Sequence, residues 1–337
     1  MEGVEHILDH PRLSVVGVAK NCGKTTTLNA LLQRRRALDL APPSLVSIGI
    51  DGEARDFFLG TEKPSIVVQP GQWIASAQEA LARSTATLEF VGDLGITTAL
   101  GPVYICRVLE EGSVVLAGLR HRREVQRAVE ALGEVCPAPI WIDGAYGRVI
   151  GAHPELARHV VVATGMVAGA TVDEVVRRTG ALVTRLGVAG IDDGSLREVI
   201  VDAVERDRAL LVDGDGTRHE LAHGSAVVGF RELSRWWTPQ TQTVAVPGLV
   251  SDGVVEALLG QADRGLLLVP DPTVVQVADD LWRSFCERWE VRALHPVEVV
   301  AISYNPTCPE KGGVDARLLG QSLAYLAPEI PLFNPLQ

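Results

Sequence analysis

The sequence has little of several features that mark particular classes of protein. Its five cysteines, among 337 residues, are scattered without a Cys-x-x-Cys pair, so neither a disulfide framework nor a zinc knuckle is indicated and reduced thiols are expected. No apolar run reaches the roughly 18 to 20 residues that a bilayer span requires. The first residues, MEGVEHILDHPR, are too acidic and too polar for a secretory signal. We therefore predict a cytoplasmic protein without a membrane partner.

Motifs of several enzyme classes are also missing. No Gly-x-Ser-x-Gly, His-Glu-x-x-His or paired-histidine cluster occurs, and the eight histidines are dispersed, which leaves hydrolase triads and zinc sites without support. Basic residues are outnumbered, 31 against 42 acidic ones, for a net charge of −11. A chain with this net negative charge is not generally attracted to a phosphate backbone, and no nucleic-acid partner is expected.

What the sequence does contain is the composition of a packed globular protein. Hydrophobic residues make up 47% and charged residues 22% of the chain, and the length fits two domains of ordinary size. In the first half, short apolar runs alternate with helical patterns, which is typical of βα units around a largely parallel sheet. The predicted strands are 13–18, 45–50, 65–68, 103–108, 113–117, 140–143 and 159–164. The predicted helices are 24–35, 120–132 and 171–186.

The same alternation resumes beyond a Gly- and Asp-rich stretch, GVAGIDDGS, at residues 187–195. We place a domain boundary there. A first domain would span 1–190, and a second, smaller α/β domain that faces a partner or serves regulation would span 191–337. In the second domain the predicted strands are 209–213, 243–246, 265–269 and 297–303, and the predicted helices are 196–206, 252–259, 273–288 and 315–326.

The segment LSVVGVAKNCGKTTT at 13–27 is an apolar strand that runs into a glycine-bearing loop and then into a helix. Binding of a nucleoside triphosphate needs backbone N–H groups at the phosphates, a positive helix end, a lysine across the terminal phosphates and a hydroxyl on Mg²⁺. Gly23, Lys24 and Thr25 match the end of the G-x-x-x-x-G-K-[ST] pattern, the P-loop. The first glycine of that pattern belongs at Val18, whereas the glycine here is Gly17, one place earlier.

This loop supplies the predicted nucleotide ligands. They are Gly17, Lys20, Asn21, Cys22, Gly23, Lys24, Thr25 and Thr26. Lys20 lies inside the loop somewhat as in the variant P-loops of the MinD and dethiobiotin-synthetase class, although their extra lysine aligns with Ala19 here. The order of strand, loop and helix predicts that 1–190 is a P-loop NTPase-like nucleotide-binding domain with a doubly wound, mostly parallel sheet. Its expected cofactors are ATP and Mg²⁺.

Two strand ends carry the carboxylates that hold Mg²⁺ in such a site. The run PIWIDG places Asp143 at the end of an apolar strand, at the edge where open α/β sheets bind ligands. The run SIGIDGE follows the second strand, and there Asp51 is the favoured metal ligand while Glu53 could orient water. We predict Thr25, Asp51 and Asp143 as metal ligands. Lys24 is predicted to neutralise phosphate charge, and Asp51 or Glu53 to respond to the γ-phosphate as catalytic groups.

Three other segments lie at expected sheet edges: GDLGITT at 92–98, ATGM at 163–166 and NPTCP at 305–309. The first two offer backbone and hydroxyl groups to a nucleotide or a partner, and the third is a rigid loop that could bind a ligand. The first two fit an ordinary glycine-rich turn equally well, and the Pro-rich third segment more often simply stops a strand. The sequence leaves both interpretations open.

Taken together, these segments resemble a known family. The runs VVGVAKNCGKTTTLN, IGIDGE, TEKP, GDLGITTALGPVYICR, IDGA, ATG and AISYNPTCP are similar to the P-loop subunit of the reactivating factor for lysine 5,6-aminomutase, found in lysine-fermenting bacteria. The resemblance covers most of the first 170 residues and, more loosely, the end of the chain.

The resemblance implies a chaperone-like ATPase that acts on an adenosylcobalamin-dependent aminomutase. In that family the factor restores an enzyme that has lost its adenosyl group, by ATP- and Mg²⁺-dependent exchange of damaged cobalamin for intact coenzyme. A MutS-like ATPase subunit and lysine 5,6-aminomutase are the implied partners. No Asp-x-His-x-x-Gly motif occurs, so direct binding of the corrin is not predicted.

Two other functions fit the same residues. A small-molecule ligase or kinase resembling dethiobiotin synthetase would transfer the γ-phosphate to a bound carboxylate, and Arg55 and Lys63 are candidates for its cationic pocket. A non-hydrolysing module would only hold the nucleotide. ATP turnover that depends on a metabolite favours the ligase or kinase, turnover stimulated by a protein favours the reactivating factor, and absence of phosphate release with any partner favours the module.

Overall fold

The computed structural model describes residues 4–49, 65–144, 149–221, 233–308 and 312–337. The chain divides into two compact units, Met1–Thr179 with Val299–Gln337, and Gly180–Glu298. The second unit is therefore an insertion in the chain of the first. The predicted division at residue 190 differs from this, because residues 299–337 return to the first unit and add strands to its sheet.

Strands and helices alternate along the described chain. The strands are β1 (Arg12–Gly17), β2 (Ser44–Ser47), β3 (Ile66–Val68), β4 (Trp73–Ala77), β5 (Thr87–Thr98), β6 (Gly101–Glu110), β7 (Gly112–Val114), β8 (Ile140–Asp143), β9 (His159–Gly165), β10 (Ala189–Gly190), β11 (Leu210–Asp213), β12 (Arg218–Glu220), β13 (Thr241–Ala245), β14 (Val250–Ser251), β15 (Gly265–Val269), β16 (Val275–Gln276), β17 (Trp289–Ala293), β18 (Glu298–Asn305), β19 (Thr307–Cys308), β20 (Gly312–Gly313) and β21 (Leu332–Phe333). The helices are α1 (Lys24–Ala37), α2 (Gln78–Leu81), α3 (Arg122–Val135), α4 (Val172–Leu186), α5 (Gly194–Arg206), α6 (Leu233–Trp236), α7 (Asp252–Leu259), α8 (Asp279–Cys286) and α9 (Ala316–Leu326).

The first unit is built on a mixed, mostly parallel sheet. Within the described residues its strand order is β21-β18-β9-β1-β8-β2-β4-β6-β5. Strand β1 pairs in parallel with β8 on one side and with β9 on the other, whereas β6 pairs antiparallel with both β4 and β5. The strand that leads into the predicted phosphate loop therefore lies well inside the sheet, where loops at the carboxyl ends of parallel strands converge.

Helices cover both faces of this sheet, because alternate side chains of a strand point to opposite faces. On one face, Leu45 belongs to the apolar core that includes Leu28 and Leu31 of α1. On the other face, the neighbouring Val46 packs in the core that includes Val125 of α3. The predicted α/β fold with a large, mostly parallel sheet is thus confirmed.

The second unit has its own sheet, in the order β10-β17-β15-β13-β11-β12 over the described residues. Strands β13, β15 and β17 are parallel, and β11 pairs antiparallel with β13 and β12. Its core contains stacked aromatic rings, with centroids 5.9 Å apart for Trp282 and Phe285 and 5.4 Å apart for Phe285 and Trp289. Burial of these rings contributes strongly to the stability of a small unit.

Several predicted elements differ from the structure. Segment 92–98, interpreted as a loop, is the second half of β5, whose register against β6 shifts irregularly there. The predicted helix 273–288 is shortened to α8, because Pro272–Val274 forms a 3₁₀ turn and β16 follows it. Among the described residues, no helix has both the length and the apolar character needed to cross a membrane.

Candidate functional site

The loop between β1 and α1, residues 18–23, lies at the carboxyl edge of the first sheet. Gly17, the last residue of β1, is paired with Ala163 of β9. The Ala163 carbonyl accepts from the Val18 N–H at 3.0 Å and from the Cys22 thiol at 3.2 Å. One carbonyl of the neighbouring strand thus holds both the entry and the exit of the loop.

The residue types in the loop match its backbone conformation. Asn21 and Gly23 both have left-handed backbone angles, with φ of 61° and 99°. Glycine adopts this region without a steric penalty, and asparagine is among the residues that tolerate it best. These two residues let the chain turn sharply out of β1 and into the first turn of α1.

The first backbone N–H groups of α1 are not capped by a side chain of the N-cap residue. The first intrahelical bond runs from the Thr27 N–H to the Gly23 carbonyl at 2.8 Å, so the N–H groups of Lys24, Thr25 and Thr26 precede the regular bonding of the helix. The N-cap residue is Gly23, which has no side chain to accept from them, and the first turn contains no acidic residue. Such a helix start, with the positive end of its dipole, favours an anion.

The side chain of Lys24 folds back toward the end of β1. A Cβ placed on Gly17 would lie 3.0 Å from Lys24 Cδ and 3.1 Å from Lys24 Cγ, so the aliphatic stem passes against the Gly17 backbone. Lys24, Thr25 and Thr26 are all partly buried, whereas Lys20 and Asn21 are exposed. The structure therefore gathers the eight predicted ligands on one strand-loop-helix turn.

Asp143 ends the strand beside the loop, as the sequence predicts. It pairs with Val15 of β1 on one side and with Ser47 of β2 on the other, and it is only 6% exposed. The next residue, Gly144, donates its N–H to the Val15 carbonyl at 3.0 Å. A Cβ on Gly144 would lie 2.6 Å from that oxygen, so the close approach of the two strand ends requires glycine.

The other predicted metal and catalytic residues lie outside the described residues. These are Asp51 and Glu53, together with Arg55 and Lys63 of the alternative cationic pocket. The described chain reaches Gly49, two residues short of Asp51, and the Ile48 N–H donates to the Asp143 carbonyl at 3.0 Å. Within the described ranges, no group of three or more His, Cys, Asp and Glu side chains is arranged to hold a metal ion. Of the predicted metal ligands, Thr25 and Asp143 are the described ones.

The carboxyl-terminal return of the chain contributes contacts that the sequence did not reveal. The hydroxyl of Thr27 lies 2.7 Å from that of Ser303, and both residues are buried. Because the single Thr27 hydroxyl proton is donated to the Gly23 carbonyl at 2.9 Å, Ser303 acts as the donor toward Thr27. Asn305, the last residue of β18, lies next to Gly23. In the sequence, the only indication of these contacts is the apolar strand that is followed by Asn-Pro-Thr-Cys at 305–308.

Known proteins add nothing to this picture. Comparison of the chain with family profiles, curated protein sequences and solved structures gives no match. The site must therefore be interpreted from its own chemistry. Amide donors at a helix start, a lysine whose stem folds back against the strand end and a buried carboxylate on the adjacent strand are suited to a polyphosphate and a divalent cation.

Proposed function

We propose that the first unit binds a nucleoside triphosphate with Mg²⁺ at the loop between β1 and α1, and hydrolyses it. The observation that supports this most directly is the start of α1. Its first N–H groups have no N-cap side chain as acceptor, no carboxylate lies in its first turn, and the Lys24 stem folds back over Gly17. Each of these features favours an anion with several oxygens at that position.

The roles of the described residues follow from their chemistry. Lys24, whose stem lies against Gly17, would neutralise the terminal phosphates with its ammonium group. Thr25, in the first turn of α1, offers a hydroxyl to Mg²⁺, and Asp143 offers a carboxylate to the ion directly or through water. Asp51 and Glu53 stay predictions as metal-side and γ-phosphate-responsive residues.

The finer proposal concerns the client of this nucleotide site. We propose that the protein is the ATP-dependent subunit of a reactivating factor, which works with a MutS-like ATPase subunit to restore lysine 5,6-aminomutase by exchange of damaged cobalamin. The support is the resemblance of the loop, of the Asp51-Gly52-Glu53 and Asp143-Gly144 segments and of the final AISYNPTCP segment. A two-unit chain with a nucleotide site in one unit suits a protein that couples nucleotide state to a partner.

The site is tested by nucleotide titration of the full chain in a calorimeter. Lys24→Ala should weaken binding of Mg·ATP at least tenfold, equivalent to about 1.4 kcal/mol, with an unchanged circular dichroism spectrum. Arg36→Ala is the matched control, because it removes a cation from the exposed far end of the same helix. Unchanged affinity in Lys24→Ala would remove the site assignment.

The metal side is tested by Asp143→Asn, which keeps the shape of the side chain and removes its charge. In the wild-type protein, Mg²⁺ should strengthen ATP binding. In the variant that enhancement should shrink, because one oxygen-rich anionic ligand is lost. An enhancement equal to that of the wild type would exclude Asp143 from the metal site.

The client is tested by recovery of an inactivated lysine 5,6-aminomutase with ATP, Mg²⁺, fresh coenzyme and the MutS-like subunit. Recovery that requires this chain, and that Lys24→Ala abolishes, is the expected result. Turnover that instead depends on an added metabolite would favour the small-molecule ligase or kinase. Absence of phosphate release with any partner would favour a module that only holds nucleotide.

A further inference from the structure

The side chain of Asn305 lies against the start of α1. A Cβ built on Gly23 would be 3.7 Å from both Cβ and Nδ2 of Asn305, which is ordinary van der Waals contact. Gly23 is the residue that opens α1, and its neighbours supply the backbone donors described above. The carboxamide of a residue 282 positions later in the chain thus lies next to the candidate phosphate site.

The orientation of the carboxamide is fixed by the next turn of the chain. Its oxygen, Oδ1, accepts from the Thr307 N–H at 2.9 Å and from the Thr307 hydroxyl at 2.7 Å. If the oxygen and nitrogen were exchanged, the carboxamide NH2 group would face the Thr307 N–H, and two donors would meet. The two bonds from Thr307 therefore show that Oδ1 faces Thr307 and that Nδ2 is on the other side. The Nδ2 group, with its two N–H donors, is the end of the carboxamide that lies near Gly23.

Contacts on both sides keep Asn305 in this place. A Cβ on Gly165, at the end of β9, would lie 2.4 Å from the Asn305 carbonyl oxygen, so β18 approaches β9 as closely as glycine permits. After Asn305, the Pro306 carbonyl accepts from the Val314 N–H at 3.1 Å, and β19 pairs with β20. The backbone on both sides of Asn305 is therefore fixed by contacts of described residues, and the carboxamide itself is held by its two bonds from Thr307.

We propose that Asn305 is a nucleotide-binding residue, whose side-chain N–H donates to a phosphate oxygen of the ligand at the candidate site. The inference deepens the proposed function and rests on it. At the start of α1 the chain already gathers backbone N–H donors, and Lys24 lies in the first turn; such groups are partners for anionic oxygens. An additional N–H from Asn305 extends this donor set with a group that carries no charge and is oriented before the ligand arrives. The phosphate chain, rather than the base or the ribose, is thus the assigned partner.

The test is Asn305→Asp, with Asn305→Ala as a second variant. Aspartate keeps an oxygen that accepts from Thr307, so the turn is retained, but it replaces the donor near Gly23 by an anionic acceptor. The matched control is Gln33→Glu, which makes the same amide-to-carboxylate change on the exposed surface of α1, about 13 Å along the helix from its start. Circular dichroism and thermal unfolding verify the fold of each variant.

Two probes are titrated with Mg²⁺ present, ATP and inorganic tripolyphosphate. We expect Asn305→Asp to weaken both at least tenfold, Asn305→Ala to weaken both by a smaller factor, and Gln33→Glu to leave both within about twofold of the wild type. The loss in Asn305→Asp should diminish as salt rises, because repulsion between exposed charges is screened. Loss of folding would not show that dependence.

Three other outcomes would overturn the inference. Unchanged affinity for both probes in Asn305→Asp would remove Asn305 from the site. A loss for ATP with unchanged tripolyphosphate affinity would assign the contact to the base or ribose and contradict a phosphate contact. A wild-type protein that binds neither probe would overturn the proposed function itself, and the inference with it.

Discussion

Cys22 packs directly against the backbone of Gly17, so that a methyl group at residue 17 would come within 2.6 Å of the Cys22 sulfur. That sulfur is held in place by its bond to the Ala163 carbonyl. Gly17→Ala should therefore displace the loop and weaken Mg·ATP binding about tenfold or more, since contacts below 3 Å force a shift of the backbone or of Cys22. Calorimetric titration measures the effect.

The matched rescue is the double variant Gly17→Ala with Cys22→Ala. Removal of the sulfur leaves the flexible Lys24 stem as the remaining close contact, at 3.0 Å. The double variant should thus regain most of the affinity lost in Gly17→Ala, and the two substitutions should be strongly non-additive. Additive losses would contradict the packing of Cys22 on Gly17.

The hydroxyl pair of Thr27 and Ser303 predicts an asymmetry between two substitutions. Thr27→Val leaves the buried Ser303 hydroxyl without its acceptor and should lower the free energy of unfolding of the first unit by about 1–3 kcal/mol. Ser303→Ala leaves Thr27 bonded to the Gly23 carbonyl and should cost about 0.5–1.5 kcal/mol. Native-state hydrogen exchange of β1 amides measures both. A larger loss for Ser303→Ala would contradict the assigned donor and acceptor roles.

Gly165→Ala is expected to separate the ends of β9 and β18. Its Cβ would meet the Asn305 carbonyl oxygen at 2.4 Å, a rigid backbone atom, so β18 must move and carry the Asn305 carboxamide away from Gly23. Affinity for Mg·ATP should fall together with thermal stability. Gly133→Ala is the control, because the nearest atom to its Cβ is Ile140 Cδ1 at 4.0 Å and alanine favours the helix. Equal behaviour of the two variants would contradict the close approach.

The Asp213 carboxylate predicts a pH dependence for the second unit. Hydrogen bonds from His219, above all, and from Thr241 and Thr238 lower the pKa of Asp213 below its ordinary value. The unfolded chain then binds this proton more readily than the folded one, so stability from Asp213 is present above the unfolded pKa of about 3.9 and is lost as pH falls through the lower folded pKa.

The measurement is the difference in unfolding free energy between the wild type and Asp213→Asn, followed from pH 7 downward by denaturant titration. This difference should shrink as pH falls below about 4. Asp263→Asn serves as the control, because the Asp263 side chain is 96% exposed and its difference should stay near zero. A difference that grows as pH falls below about 4 would contradict the predicted direction.

The parts of the fold with strong local signals were predictable. Strand β8 has the predicted bounds, because IWID is a short apolar run that ends at Asp-Gly. By contrast, β4, with the sequence WIASA, has few β-branched residues, and it becomes a buried strand because it lies between β2 and β6. Strand β17, WEVRA, carries charges at alternate positions and was missed for a similar reason. Tertiary context decides such strands more than propensity does.

The candidate site divides in the same way. Gly17 to Thr26 and Asp143 could be chosen from local pattern, because strand, glycine loop and helix follow one another directly. The hydrogen bond between Thr27 and Ser303 joins residues that are 276 positions apart, and no periodicity in the sequence predicts it. Its existence depends on the return of the chain after the Gly180–Glu298 unit. Because the sequence-based prediction placed all residues after 190 in the second domain, it could not predict that Asn305 lies next to the loop between β1 and α1.

The insertion has a consequence for how the protein is made. As the chain leaves the ribosome, β9 emerges with β1 on one side, and its other edge stays open while more than one hundred further residues are synthesised. Unpaired strand edges of this kind promote aggregation of nascent chains. Strand β18 closes that edge, and in doing so it brings Ser303 and Asn305 to the start of α1. The candidate site is consequently completed late in translation, so that a prematurely terminated product would carry the loop between β1 and α1 but lack the contacts from β18.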